Sequence, residues 1–221
     1  MTMRWLPAIL GVLMLFGGSL QAQDGQPEKL LAVGVVIQSY KGDLSDTYST
    51  YSGSFKASLL FNKKERWNGG INLMIGNLSG QTLSGIPSAG SPQPNTFFKT
   101  SVVSLHYDLR YNLVSKEKWK AYVSLGFGLM RFNPKDQDDN NLQDLIDTRA
   151  ANETYGNITG MMPLQVGVMY FLPNGFGVNF QTGFLNTFTD YLDNVSDLGN
   201  QSGGDNILQF QFSLLAPLKS N

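Results

Sequence analysis

His106, Asp108 and Arg110 sit at alternate positions of one run, and they are the first residues in this chain whose types and spacing suggest chemistry. In an extended strand, side chains at i, i+2 and i+4 share a face at steps of ~7 Å. His106 is the only histidine, Asp108 follows it on that face, and Ser104 precedes it. A histidine beside a carboxylate can activate a serine hydroxyl, here Ser104 or Ser124, for acyl transfer, which would suit a lipid-modifying enzyme. The competing reading is an interior ion-pair network that also takes in Lys56 and Lys120, because charges removed from water are normally paired. We adopt the network and assign no catalytic residue.

A second acidic group, TDYLDNVSD at 189–197, follows a long apolar-alternating stretch. Asp190, Asp193 and Asp197 supply hard oxygen ligands that would suit calcium. Against this, Asp and Asn side chains bond nearby backbone amides and make turns, and a tyrosine suits a water–lipid interface. On the second reading Asp190, Tyr191, Leu192, Asp193 and Ser196 anchor a loop. The chain has no cysteine, which removes thiolate metal sites and thiol nucleophiles, and a single histidine is too few for a nitrogen-ligated metal. No phosphate loop, nucleophile elbow or dinucleotide fingerprint is present, so neither a cofactor nor a metal is expected.

The elements that must position these residues are strands. From Leu30 onward the apolar residues recur with period two: Val33, Val35 and Ile37 alternate with Gly34, Val36 and Gln38, and Phe55, Ala57 and Leu59 with Ser54, Lys56 and Ser58. Six further runs, 67–78, 97–112, 119–132, 160–172, 175–188 and 206–216, make eight. Their lengths match or exceed the roughly 9–11 residues of a tilted strand crossing a bilayer. The links alternate too. Those at 62–66, 113–118 and 173–174 are short, whereas 41–52, 79–96, 133–159 and 187–205 are long, which predicts an up-and-down antiparallel order with short turns at one end and loops at the other.

A soluble barrel with an apolar interior would show the same alternation. Charge separates the two. The eight runs contain only six charged residues, Lys56, Lys99, Asp108, Arg110, Lys120 and Arg131, and their second face is Ser, Gly, Asn and Gln. Such a face suits a narrow lumen, with the apolar face turned to lipid. Trp67, Tyr111 and Trp119 beside the short turns, and Tyr40, Phe97, Phe98, Phe132 and Phe188 at the loop end, are expected to form two interfacial girdles. The fold class is therefore all-β, an eight-stranded antiparallel transmembrane barrel.

Residues 1–22 read as a secretory signal: a positive start ending at Arg4, an apolar stretch from Trp5 to Phe16, then GGSLQA with the cut placed after Ala22, Leu20 departing from the small-x-small pattern. Residues 23–29 then form a short periplasmic segment and 30–221 the barrel, with both termini periplasmic in the outer membrane of a Gram-negative cell. The long links sum to −9 and the short ones to +3. The outer rim is thus acidic, and Lys63, Lys64, Arg66, Lys116 and Lys118 mark the short turns as a surface for periplasmic partners. In the third long link, Leu142, Leu145 and Ile146 predict a short helix over 141–150 that could cover the mouth. The formal charge of −1 and the lack of a basic, aromatic-rich stretch argue against nucleic acid, leaving outer-membrane lipid and lipopolysaccharide as the surroundings.

The stretch TDYLDNVS at 189–196, with Asn194 in place of a second aspartate, resembles the Asp-Tyr-Leu-Asp-Asp-Val-Ser signature of Bacteroidetes outer-membrane barrels typified by PorG, of the type IX secretion system. SYKGDLSD at 39–46 is similar to the Gly-Asp-Leu segment of that family. The resemblance implies an eight-stranded barrel that is not an enzyme and that associates with periplasmic parts of a secretion machine. A small pore, or an adhesion barrel acting through its long loops, remains the alternative.

Overall fold

The computed structural model describes residues 27–81, 95–145, 156–195 and 204–218. Eight antiparallel strands run in chain order: β1 (Lys29–Lys41), β2 (Tyr51–Phe61), β3 (Trp67–Gln81), β4 (Phe97–Ser115), β5 (Trp119–Lys135), β6 (Ile158–Phe171), β7 (Gly177–Thr187) and β8 (Asn206–Pro217). Each pairs with its sequence neighbour, and β8 pairs back onto β1, so the sheet closes. Closure gives every strand two ladder partners, which is what a strand without surrounding water requires.

Period two decides which side chains face which way. Val33, Val35 and Ile37 of β1, Leu105, Tyr107 and Leu109 of β4, and Leu125, Phe127 and Leu129 of β5 all stand exposed on the outer wall. Their neighbours, among them Gln38, Ser104, His106, Asp108, Ser124 and Gln209, are buried in the lumen. Trp67 and Trp119 face outward beside the short turns, and Trp67 packs against Tyr111 with ring centroids 4.8 Å apart. The loop-end girdle differs from expectation. Phe188 is exposed there, but Tyr40, Phe98 and Phe132 lie inside the barrel, because each falls on the inward parity of its strand.

Several strands outrun the apolar alternation that announced them. β3 continues to Gln81 and β5 to Lys135, through polar residues that carry no hydrophobic signal. On β5 the apolar wall extends from Trp119 to Leu129, ten steps of about 3.3 Å, which at a tilt near 40° spans about 25 Å of height. That is the height of a bilayer's apolar band. The backbone N–H of Leu218 donates to the carbonyl of Lys29, so both ends of the described barrel meet at the short-turn end.

Candidate functional site

Eight strands leave a lumen that side chains can fill. Here they fill it in three layers. Nearest the short turns, Leu30, Leu60, Tyr122, Met169, Phe171 and Leu215 pack together. At the middle, amides and hydroxyls bond one another around the wall: Gln209 donates to Gln38 (3.0 Å), Gln165 and Gln211 to Gln209 (both 3.1 Å), Gln181 to Gln165, and Gln38 to Ser54 (2.7 Å). Toward the loops a larger apolar cluster takes over, containing Tyr40, Leu78, Phe98, Met130, Phe132 and Leu185.

The five residues of the proposed charge network are all buried: Lys56, His106 and Asp108 lie above the apolar base, while Arg110 and Lys120 reach the base itself, beside Met169 and the first short turn. The Lys56 ammonium donates to Gln211 (2.8 Å) and Lys120 to Asn62 (2.9 Å), while Asp108 accepts from Asn72 (3.0 Å). The Arg110 guanidinium lies 5.1 Å over the Tyr122 ring and donates to the Phe61 carbonyl at 3.2 Å. Gly126 gives Asp108 its room, since a Cβ there would collide with the carboxylate. His106 Nε2 stands 3.5 Å from Asp108 Oδ1, and neither ring nitrogen has a hydrogen-bond partner among the described residues. No serine is therefore hydrogen-bonded to the histidine, and the relay that a serine nucleophile needs is not assembled. A cavity of about 20 Å³ lies among Lys56, Asn72, Asp108, Arg110, Ser124 and Gln181, which is room for about one water.

The second constellation closes the loop end, and it joins the two stretches that carried the family resemblance. The link after β7 turns into the barrel so that Leu192 and Val195 enter the upper apolar cluster beside Leu44 and Leu142, with Tyr191 packed against it. Asp193 is fully buried. Its Oδ2 accepts from the Tyr40 hydroxyl (2.6 Å) and the Leu44 N–H (3.0 Å), and its Oδ1 accepts from the Val195 N–H (2.9 Å). Asp205, just before β8, lies with Oδ1 2.6 Å from the same Tyr40 hydroxyl and accepts the Leu192 N–H at Oδ2 (2.8 Å). From β4 the Thr100 hydroxyl donates to the Leu192 carbonyl, and Asn95 donates to the Asp193 carbonyl at 2.9 Å. Asn194 adopts φ 69°, a left-handed conformation that asparagine tolerates well. Gly42 lies flat on the group, where a Cβ would collide with Tyr40 Oη and Asp205 Oδ1.

One phenol carries one hydrogen, yet two carboxylates contact it at hydrogen-bond distance. One of the two contacts must therefore be donated by a carboxylic acid. Burial pushes the Asp193 carboxyl up to about 7, with the charge of Asp43 adding to it. Burial also holds Asp205 well above the usual carboxylate range, and the charges of Asp193 and Asp190 push it the same way. Asp193 already accepts two backbone N–H groups and is the better anion, so the proton belongs on Asp205.

Leu192 and Asp193 are inside the mouth, where the hydrogen bonds that make the turn also seal it. Ser196 and Asp197 lie outside the described residues, as do residues 1–26. Of the helix expected over 141–150, a single 3-10 turn, Leu142–Asp144, is described, and Leu142 seats in the apolar cluster. Residues 146–150 lie outside the described set. No group of three metal-competent side chains occurs among the described residues, and both Asp193 oxygens already accept backbone amides. At the other end Lys63, Lys64, Arg66, Lys116 and Lys118 are exposed; Lys63 pairs with Glu28 at 3.6 Å and Arg66 donates to the carbonyls of Asn112 and Leu113. No local pattern in the sequence marks Tyr40, Leu44, Thr100 or Asp205 as partners of the TDYLD stretch. The inward parity of Tyr40 is the one signal that points it toward the lumen.

A closed eight-stranded barrel with an apolar outer wall and a polar, filled centre is a membrane-spanning β-barrel. The chain belongs to the outer membrane protein beta-barrel domain family, whose model matches residues 10–214, and its place is the outer membrane. Among solved structures it is similar to Neisserial surface protein A, with 10% identity and a TM-score of 0.55, covering 88% of this chain and 100% of that one. It is also similar to Ail, the attachment invasion locus protein of Yersinia pestis, solved with the heparin analogue sucrose octasulfate, with 9% identity and a TM-score of 0.50, covering 86% and 97%. At such identities the likeness is one of fold. No curated protein matches the chain.

Proposed function

We propose that this protein is a non-conducting, non-enzymatic outer-membrane barrel that acts through its two ends, as an accessory of a type IX secretion apparatus. The observation that carries this reading is the packed lumen: among the described residues an apolar plug at the mouth, a glutamine belt, buried charges and an apolar base follow one another along the axis, and the cavity among the charges has room for about one water. A barrel so filled has its surfaces left to work with. In this reading the short turns face the periplasm and offer Lys64, Arg66 and Lys118 to an acidic partner, while the loop end faces outward. The TDYLDNVS and SYKGDLSD stretches support the secretion assignment, and their meeting around Tyr40 supplies a physical reason for both to be present.

The test is recovery of partners by affinity purification from crosslinked cells, together with export in a deletion strain. Secretion components should be recovered by the wild type and lost on changing Lys64, Arg66 and Lys118 to Glu. Unchanged export in the deletion strain, with no secretion component recovered, would refute the assignment. A second reading, adhesion through the loop end, is favoured by the lengths of β4 and β5, 19 and 17 residues. Strands that long carry their loop ends well past an apolar band of about 25 Å. Binding of intact cells to host matrix, lost when the β4–β5 end is exchanged, would select it.

A further inference from the structure

The outer wall carries little charge: Lys29 and Lys41 stand at the two ends of β1, and its remaining outward cations are concentrated in one place. Asp108, the only acidic residue in the eight strands, points inward. On the loop-end stretch of β4 and β5, Lys99 and Arg131 point outward into exposed positions and Lys135 is half-buried beside them. Lys99 and Lys135 are directly opposite in the ladder, Ser101 faces Asn133 two steps in, and Arg131 faces Val103 two steps further. The three cations thus share one outer face within four residues of strand. Like charges opposed across two strands repel, and among the described residues no carboxylate lies within ion-pair distance of any of the three. Asp136, next along the chain, is turned to its own loop, accepting from the N–H groups of Asp138 and Asn140.

Height decides what the patch would meet. The apolar wall of β5 ends at Leu129, and Arg131 is the next outward position, just above the band of about 25 Å. Ile158, Arg131's neighbour on β6, remains apolar and exposed. Arg131 is therefore at headgroup level, with acyl chains below and water above. Beside it a cleft of about 310 Å³ is walled by Ser101, Arg131, Asn133, Gln143 and Asn157; the guanidinium and the amides can donate to anionic oxygens, while the Ser101 hydroxyl already donates to Asn77 (3.1 Å) and one Asn133 N–H to Asn141 (3.0 Å).

We propose that Lys99, Arg131 and Lys135 form a binding site for the phosphorylated sugar headgroup of an outer-leaflet glycolipid, with its acyl chains lying along Val103, Leu105 and Leu129. A phosphate between Lys99 and Lys135 removes their repulsion, a second acidic group can meet Arg131, and the cleft receives sugar hydroxyls. The site rests on the reading that the loop end faces outward.

The test reconstitutes the full barrel in nanodiscs and measures retained lipid by native mass spectrometry, with three probes: bis-phosphorylated lipid A, the same lipid dephosphorylated, and phosphatidylglycerol. The wild type should retain bis-phosphorylated lipid A. A variant with all three residues changed to Gln should retain it roughly a hundredfold less, at about fivefold per cation. Lys41→Gln, which removes an exposed cation from the opposite wall, should retain it unchanged. Equal retention of the dephosphorylated lipid, or unchanged retention by the triple variant, would overturn the site. Preference for phosphatidylglycerol would overturn the glycolipid assignment. Orientation is read separately, by labelling Asn140→Cys in intact cells with an impermeant maleimide. No labelling there would refute the outward loop end, independently of what the nanodiscs retain.

Discussion

Changing Asp205 and Asp193 to asparagine, one at a time, tests the shared proton at the mouth, because the geometry makes the two substitutions unequal. Asparagine at 205 can accept the Leu192 N–H with its oxygen and present its amide N–H to Tyr40 Oη, while the tyrosine hydroxyl donates to Asp193. It reproduces the neutral acid already there, so the expected cost is less than about 1 kcal/mol. Asparagine at 193 has one oxygen for two backbone donors, Leu44 N–H and Val195 N–H, that now bond opposite oxygens of the carboxylate. Its amide group must face one of them, leaving a buried N–H unpaired at about 1–3 kcal/mol. Amide protection of Leu44, Leu192 and Val195 should therefore fall roughly five- to hundredfold in Asp193→Asn and stay near wild type in Asp205→Asn. The pH dependence follows from the same pair. Both carboxyls are held above their unfolded values near 4, so proton binding stabilises the closed mouth. That stabilisation is complete below the unfolded values and is lost as pH rises through about 7, where Asp193 titrates, with Asp43 and Asp190 adding to the negative field. Protection factors of the wild type should decline on the alkaline side; Asp205→Asn removes only the contribution of Asp205 and should shrink the decline, leaving the part that follows Asp193. Equal damage from the two substitutions, or wild-type protection that does not change between about pH 5 and about pH 9, would refute the shared proton.

Asp108→Ala removes the one carboxylate among Lys56, Arg110 and Lys120 and should lower barrel stability by about 3 kcal/mol, read from urea unfolding in lipid. Leu125→Arg, near the middle of the β5 wall, should cost about 2–4 kcal/mol in the same assay, whereas Leu129→Arg at its upper edge should cost less than about 1 kcal/mol; equal costs would mean that the bilayer sits elsewhere on the wall.

The barrel was legible because one rule, period two, acts at every strand, and because its second face is amide and hydroxyl rather than Lys and Glu. Where that rule and residue chemistry disagreed, the rule was the better guide. Tyr40, Phe98 and Phe132 have the aromatic character of an interface and the parity of a lumen, and they lie in the lumen. Strand ends were less legible, since stretches such as Ser79–Gln81 and Asn133–Lys135 pair as strand without an apolar residue to announce it. The sealed mouth was out of reach of any local pattern. Its central contacts join Tyr40 to partners 153 and 165 residues away, and what makes Asp193 unusual is burial under Leu44 and Val195, a property of the closed barrel alone. The TDYLD stretch could be noticed in the sequence, but the hydroxyl it serves could not.

The central claim is a lumen filled from mouth to base, and single-channel recording in planar bilayers tests it most directly. The filled layers predict no discrete current steps from the wild type, and none from Leu192→Ala, because the glutamine belt remains below the loosened mouth. Reproducible steps from the wild type, scaling with the amount of folded protein inserted, would contradict the account.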